Sequence, residues 1–286
     1  MKNSRYIIIG FFFLIFSCGH QETKNLDYSI TKDDGSWLIL KKEDISNGSY
    51  HTKHAEIFGK YISGYNTFIL KAIDSVQSTA MDGGGYFTGI TADPPESPIG
   101  YNLSLFNKQL LKAPRTTSYC SGSTYSAFIE GLNLMYRNKP HALSEDRYES
   151  LRMQELDGGR REDDVKFWGK WNADGYGNHF ALVQYSGMGK KIKPINARPG
   201  DFLNISWKKG AGHSVIFLGW YINDENEKCV VYWSSQPGTN GLGDAVIPIN
   251  MIQEVMFVRL TWPEKLFTFD IEKQVDYSVE GDIIDW

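Results

Sequence analysis

Between residues 198 and 262 the chain repeats short apolar runs bounded by turn residues, and no other feature limits its fold as strongly. The runs at 202–207, 214–221, 229–234 and 255–262 are rich in Val, Ile, Phe, Trp and Tyr, which suit a pleated, half-buried surface. Asn223-Asp224-Glu225-Asn226-Glu227 separates the second run from the third and has turn composition, so these two runs form a β-hairpin. Consecutive strands joined this closely pair antiparallel.

Upstream of this block the spacing of apolar residues is helical. Ile57, Phe58, Tyr61, Ile62, Tyr65, Phe68, Ile69, Ala72, Ile73 and Val76 keep to three- and four-residue steps, which predicts one or two helices over 55–78 with a break at Gly64. Tyr125, Phe128, Ile129, Leu132, Met135 and Tyr136 repeat the pattern until Asn138-Lys139-Pro140 ends it. Trp37-Leu38-Ile39-Leu40 reads as a strand at the edge of the fold, and residues 143–193 as mixed helix and loop. Helices first and an antiparallel sheet after is an α+β arrangement.

The N-terminus carries a different message. Lys2 and Arg5 precede an apolar run at 6–16 that is too short to span a bilayer and has the form of an export signal. Its end, Ile15-Phe16-Ser17-Cys18-Gly19, resembles the lipobox of bacterial lipoproteins, which implies acylation of Cys18 after cleavage. The expected organisation is a signal peptide at 1–18, a tether and extension at 19–54, a catalytic domain at 55–262 and a C-terminal extension at 263–286. A formal charge of -4 gives no basic field for a polyanion, so no nucleic-acid partner is expected. Outside the cytoplasm thiols tend to pair, so Cys120 and Cys229 either form one disulfide or divide into a chemical and a structural cysteine.

Cys120 begins the second helical segment, where the positive end of the helix favours a thiolate. Ser118, Ser121, Gly122 and Ser123 around it leave room for a substrate carbonyl, and the Cys120 N–H is a candidate oxyanion donor. The candidate base is His213, which opens an apolar strand behind Gly210-Ala211-Gly212 and so belongs at the rim of the sheet. A turn centred near Glu225 puts His213 opposite residues 235–237. One register pairs it with Gln236, Val215 with Ser234 and Phe217 with Tyr232; an amide oxygen can then accept from the imidazole N–H. A shift by one residue selects Ser235 instead. Cys229 falls at the far end of its strand, as a structural cysteine.

These residues resemble the NlpC/P60 family of papain-like cysteine peptidases, which are cell-wall hydrolases. The family's Asp-Cys-Ser-Gly at a helix start is matched by Tyr119-Cys120-Ser121-Gly122, its Pro-Gly-Asp-Leu by Pro199-Gly200-Asp201-Phe202, and its Gly-His-Val-Gly-Ile-Tyr-Leu-Gly by residues 212–219. The resemblance implies a nucleophile at the N-terminus of a helix packed on an antiparallel sheet, and a triad of Cys120, His213 and Gln236. It also implies substrate contacts from Tyr119, Ser121 and Tyr86, the last lying in Gly85-Tyr86-Phe87-Thr88-Gly89. Tyr119 replaces the acidic residue that receives a free amine in members cutting γ-D-glutamyl bonds, so that specificity does not carry over.

The expected activity is hydrolysis of an amide bond in peptidoglycan stem peptides or a related substrate, by an enzyme anchored in the bacterial envelope and facing the periplasm or the exterior. His213 deprotonates Cys120, the thiolate attacks the carbonyl, and water releases the acyl-enzyme. The alternatives are another amidase or acyltransferase of the superfamily, and a binding lipoprotein that keeps the fold without activity. His51 and His54 lie three apart near Glu56, but with no further ligand pair at hand no metal or other cofactor is expected. Trp168, Trp171, Tyr176, Asn178 and His179 read as core, and 160–164 as a solvated loop of mixed charge.

Overall fold

The computed structural model describes residues 35–45, 49–62, 64–89, 96–137, 143–153, 167–168, 176–276 and 278–286. The signal segment with Cys18, Trp171 and the charged run at 160–164 lie outside the described residues.

The helical periodicity resolves into α1 (His54–Phe58) and α2 (Asn66–Ser78) on either side of Gly64, and then α3 (Cys120–Met135) and α4 (Glu145–Ser150). Between α2 and α3 lies a hairpin, β1 (Leu103–Leu105) and β2 (Lys108–Leu111), which the sequence reading missed. Its turn residues Phe106 and Asn107 both have positive φ, a conformation that Phe rarely takes and that gives no compositional signal. The main sheet comprises β3 (Gly189–Ile192), β4 (Phe202–Trp207), β5 (Gly212–Ile222), β6 (Lys228–Gln236), β7 (Gly241–Pro248) and β8 (Ile252–Leu260), in the order β3-β8-β4-β5-β6-β7. Every pairing is antiparallel, so the α+β expectation holds.

Two strands correct the sequence reading. β3 lies within the segment read as helix and loop, and β7 has the sequence Gly-Leu-Gly-Asp-Ala-Val-Ile-Pro, whose glycines hide its alternation. Trp37-Leu38-Ile39-Leu40 forms a single bridge instead of a regular strand. It pairs parallel with Trp220 through Leu40 N to Trp220 O (2.7 Å) and Trp220 N to Leu38 O (3.1 Å), along the part of β5 that extends past the end of β4.

Alternation along the strands divides the buried residues into two layers. Phe202, Ile216, Leu218, Trp233 and Met256 face α2 and α3, packing on Ile69, Ile73, Phe128 and Leu132. Leu203, Ile205, Val215, Phe217, Trp220 and Phe257 face the other way. The two ends of the described chain help cover that second face. Trp286 stacks on Trp37 (5.5 Å), Trp37 meets Trp220 edge-on (5.1 Å), and Asp282 exchanges backbone hydrogen bonds with Val255.

The Pro199-Gly200-Asp201 match is a structural corner. Asp201 is fully buried and accepts from Arg259 Nε (2.8 Å), Arg259 Nη2 (2.7 Å), Asn66 Nδ2 (2.8 Å) and the Arg198 N–H (2.8 Å). A carboxylate can be buried this deeply where paired donors replace its water. The corner fixes where β4 and β5 begin relative to α2. Trp168, Tyr176, Asn178 and His179 are buried, as expected of core residues. Among the described residues no helix is long and apolar enough to cross a membrane.

Candidate active site

Cys120 is the first residue of α3, with Tyr119 extended before it at φ -142° and ψ 176°. Gly122 lets the preceding loop close over this turn, since a Cβ there would lie 2.0 Å from the Pro98 carbonyl oxygen. Pro98 O in turn accepts from the Tyr119 N–H at 3.1 Å. The N–H groups of a helix's first turn have no partner within the helix. Here those of Cys120 and Ser121 turn toward the Cys120 sulfur, joined by the Ser214 N–H from β5.

The nucleophile helix is tied to the strands by buried hydroxyls. Thr124 Oγ1 lies 2.8 Å from Ser214 Oγ and accepts from Trp168 Nε1 at 3.1 Å. Ser123 Oγ donates to Cys120 O (2.7 Å) and accepts from the Ser235 N–H (3.2 Å), while Ser118 Oγ donates to Ser235 Oγ (2.9 Å). Ser214 adjoins His213 and Ser235 adjoins Gln236. The zipper therefore ties the start of α3 to the strand residues next to His213 and Gln236. Composition marks these hydroxyls only as small residues near the thiol.

His213 pairs with Ile205 of β4 and is 8% exposed at the sheet's rim. Its side chain shares the face of Ile205 and Val215, opposite to Ser214, so imidazole and thiol can meet only beyond the rim. Among the described residues no hydrogen bond joins them. The expected β5/β6 register is present at Ile216↔Trp233 and Phe217↔Tyr232; a bulge at Leu218 shifts it by one residue toward the turn. The pairs drawn nearer the rim, Val215 with Ser234 and His213 with Gln236, lie beyond the regular ladder.

Gln236 is still the polar neighbour of His213. Its Nε2 donates to Thr239 Oγ1 (3.0 Å) and Gly243 O (3.0 Å), which leaves Oε1 for the ring. The amide favours a charged imidazole, yet the pair stops short of a hydrogen bond: His213 Nε2 and Gln236 Oε1 are both buried without a partner. Ser235 is committed to Ser118 on the α3 side and does not serve the ring.

His213 and Gln236 line a cleft of about 550 Å³ with Tyr86, Trp207, Tyr232 and Asp244. Tyr86 enters from the glycine loop, whose backbone bridges Ser118 on one side and Gly241 on the other. Gly241 is needed there, because its φ is +120° and a Cβ would lie 1.9 Å from Gly83 O. Cys120 is not among the residues that line this cleft, but Tyr86 and Tyr232, which are, lie near enough to feel a charge on its sulfur. The other expected substrate contacts are elsewhere: Tyr119 is 4% exposed within the helix-side core, and Ser121 is fully buried with its Oγ unpartnered among the described residues.

Electrostatics depart from the expectation of a helix-activated thiolate. Burial pushes the Cys120 thiol up, and the three N–H groups only partly offset it. Burial lowers His213 to about 4. The resting pair is a neutral thiol beside a neutral imidazole, because desolvation of both charges exceeds what the helix end returns. Cys120 and Cys229 are both free thiols, and Cys229 sits near the far end of β6 as expected.

One cluster was not foreseen. Asp244, on β7, receives His51 Nε2 (3.1 Å) and His54 Nε2 (2.9 Å), and His54 Nδ1 contacts Asp74 Oδ1 of α2 (2.7 Å). Burial opposes charge on His54, but Asp244 and Asp74 together push it up to about 9. Burial likewise opposes the Asp244 carboxylate, yet His54 and His51 hold it below the usual range.

Comparison of the chain with protein-family models, with curated proteins and with solved structures finds no match.

Proposed function

We propose that this chain is an exported, lipid-anchored cysteine hydrolase that cleaves amide bonds of peptidoglycan stem peptides, with the papain-like fold of the NlpC/P60 family. The observation that supports the reading is that a helix-start thiol, and a strand-start imidazole with an amide neighbour, lie on elements tied together by the Thr124–Ser214 and Ser123–Ser235 contacts. Cys120 is the nucleophile, His213 the base, and Gln236 the group that accepts from the imidazolium formed as the thiol loses its proton. The N–H groups around the sulfur suit an oxyanion that develops beside it. With both partners neutral at rest, His213 takes the proton as the sulfur attacks, rather than from a stored ion pair. Tyr86, Tyr232 and Trp207 offer flat faces to a peptide unit. Lipid anchoring rests on Cys18 and the apolar run before it.

The test is release of soluble muropeptides from purified sacculi, followed by mass spectrometry. Cys120→Ala and His213→Ala should each abolish release, and either variant digesting at the wild-type rate removes the mechanism. The neutral resting pair also favours a second reading, a binding lipoprotein that keeps the fold without activity. That protein would retain sacculi in a pull-down and release nothing.

A further inference from the structure

The cluster under β7, on the helix-facing side of the sheet with Trp233, has the donor set of a metal site. His51 and His54 lie three residues apart just before and at the start of α1, and the fold brings Asp244 between them from 190 residues along the chain. Their ligand atoms all lie within 4.8 Å of one another. Adjacent ligand atoms around a tetrahedral ion with bonds near 2.0 Å are about 3.3 Å apart. His54 Nε2 lies 2.9 Å from Asp244 Oδ1 and His51 Nε2 3.1 Å from Asp244 Oδ2, so these contacts open by a few tenths of an ångström and the carboxylate turns to give one oxygen to the ion. Asp74 adds an independent feature. It accepts from His54 Nδ1 and from the His54 and Ala55 N–H groups, which fixes the ring with Nε2 toward Asp244. A carboxylate on the far nitrogen is the usual support of a metal-bound histidine.

Charge points the same way. Two carboxylates, Asp244 nearly inaccessible and Asp74 mostly buried, meet at His54, and a dication in place of its Nε2 proton offsets both. We propose that His51 Nε2, His54 Nε2 and an Asp244 oxygen bind a divalent d-block cation of the zinc type, with Asp74 positioning His54. Two nitrogens and one carboxylate match a three-ligand site whose remaining position belongs to solvent. The His51 side chain, 15% exposed, provides the way in. Binding displaces the Nε2 proton of His54 to solvent and moves that of His51 to Nδ1. His51 Nδ1 then gives up the 3.2 Å bond it accepts from the exposed Lys53 N–H, which water can serve instead. The ion would tie the segment ahead of α1 to β7, and it does not depend on the hydrolase reading.

The experiment uses the full chain without a polyhistidine tag, stripped by chelator and with its thiols alkylated so that sulfur cannot compete. Titration with Zn²⁺ in a calorimeter should give one equivalent bound, and Co²⁺ should develop the visible bands of a tetrahedral N/O site. His51→Ala, checked for fold by circular dichroism, should weaken Zn²⁺ at least 100-fold, and Asp74→Asn by about 10- to 100-fold. Absence of stoichiometric binding by the wild-type chain overturns the proposal whatever the variants do. Unchanged Zn²⁺ affinity in folded His51→Ala overturns it as well.

Discussion

Alkylation of Cys120 by iodoacetamide as a function of pH tests the electrostatic account of the site directly. Only the thiolate reacts, so the rate follows its population. An ordinary thiol near 8.5 is about 3% ionised at pH 7, and burial pushes Cys120 above the ordinary value. With His213 lowered to about 4, no imidazolium is present at neutral pH to hold a thiolate. The rate should therefore climb about tenfold per pH unit, roughly 100-fold from pH 6 to pH 8. Mass spectrometry of the peptide containing Cys120 separates this from labelling at Cys18 and Cys229. Hydrolysis should not follow that limb: because His213 takes the proton during attack, kcat/KM should rise as His213 loses its own proton near pH 4 and stay level through neutral pH. An alkylation rate already level by pH 6 would mean a thiolate–imidazolium pair, and would refute the assignment of neutral partners.

The remaining predictions concern what holds the site in place. Asp201→Ala strands the Arg259 guanidinium in the core and should cost about 3–5 kcal/mol in urea unfolding; a loss below about 1 kcal/mol would show that the corner does not anchor β4 and β5. Thr124→Val removes the hydroxyl between the nucleophile helix and Ser214, so kcat should fall about tenfold, equivalent to roughly 1.4 kcal/mol, with KM unchanged. Thr124→Ser should restore it, and a Val variant with wild-type kcat removes the positioning role.

What the sequence disclosed follows from how local each signal is. Helices α2 and α3 and strands β4, β5, β6 and β8 announce themselves because each buries a face, and burial writes its period into neighbouring residues. The hairpin β1–β2, the short β3 and the glycine-rich β7 carry weaker patterns. Cys120 and His213 stood out because each opens a regular element among small residues. The register also emerged where the ladder is regular, at Phe217↔Tyr232. The bulge at Leu218 was not visible, since a Cβ on Gly219 would meet Leu40 at 2.4 Å and Leu40 is remote in sequence. The hydroxyl zipper and Asp244 are tertiary pairings of the same kind. His51 and His54 could be noticed as a pair, but their third partner lies on a strand that left no pattern.

That strand links the two halves of the site. Gly243 O holds the Gln236 amide so that its oxygen faces His213, and the next residue, Asp244, holds both imidazoles of the cluster. One peptide unit therefore separates the partner of the candidate base from the buried charges. A shift of β7 moves both, because Gln236 pairs with Gly241, and Gly243 and Asp244 pair with Ser234 and Trp233 on the same ladder. The segment before α1 is thus more than a cover over the domain: Asp244 N meets Ser49 O at 3.3 Å, and Tyr50 donates at 2.7 Å to the backbone O of Thr239, whose hydroxyl accepts from the Gln236 amide. Residues ahead of the expected catalytic domain accordingly help to fix the third member of the proposed triad, and a truncation that starts the protein at residue 55 would remove His51 and His54 along with those braces.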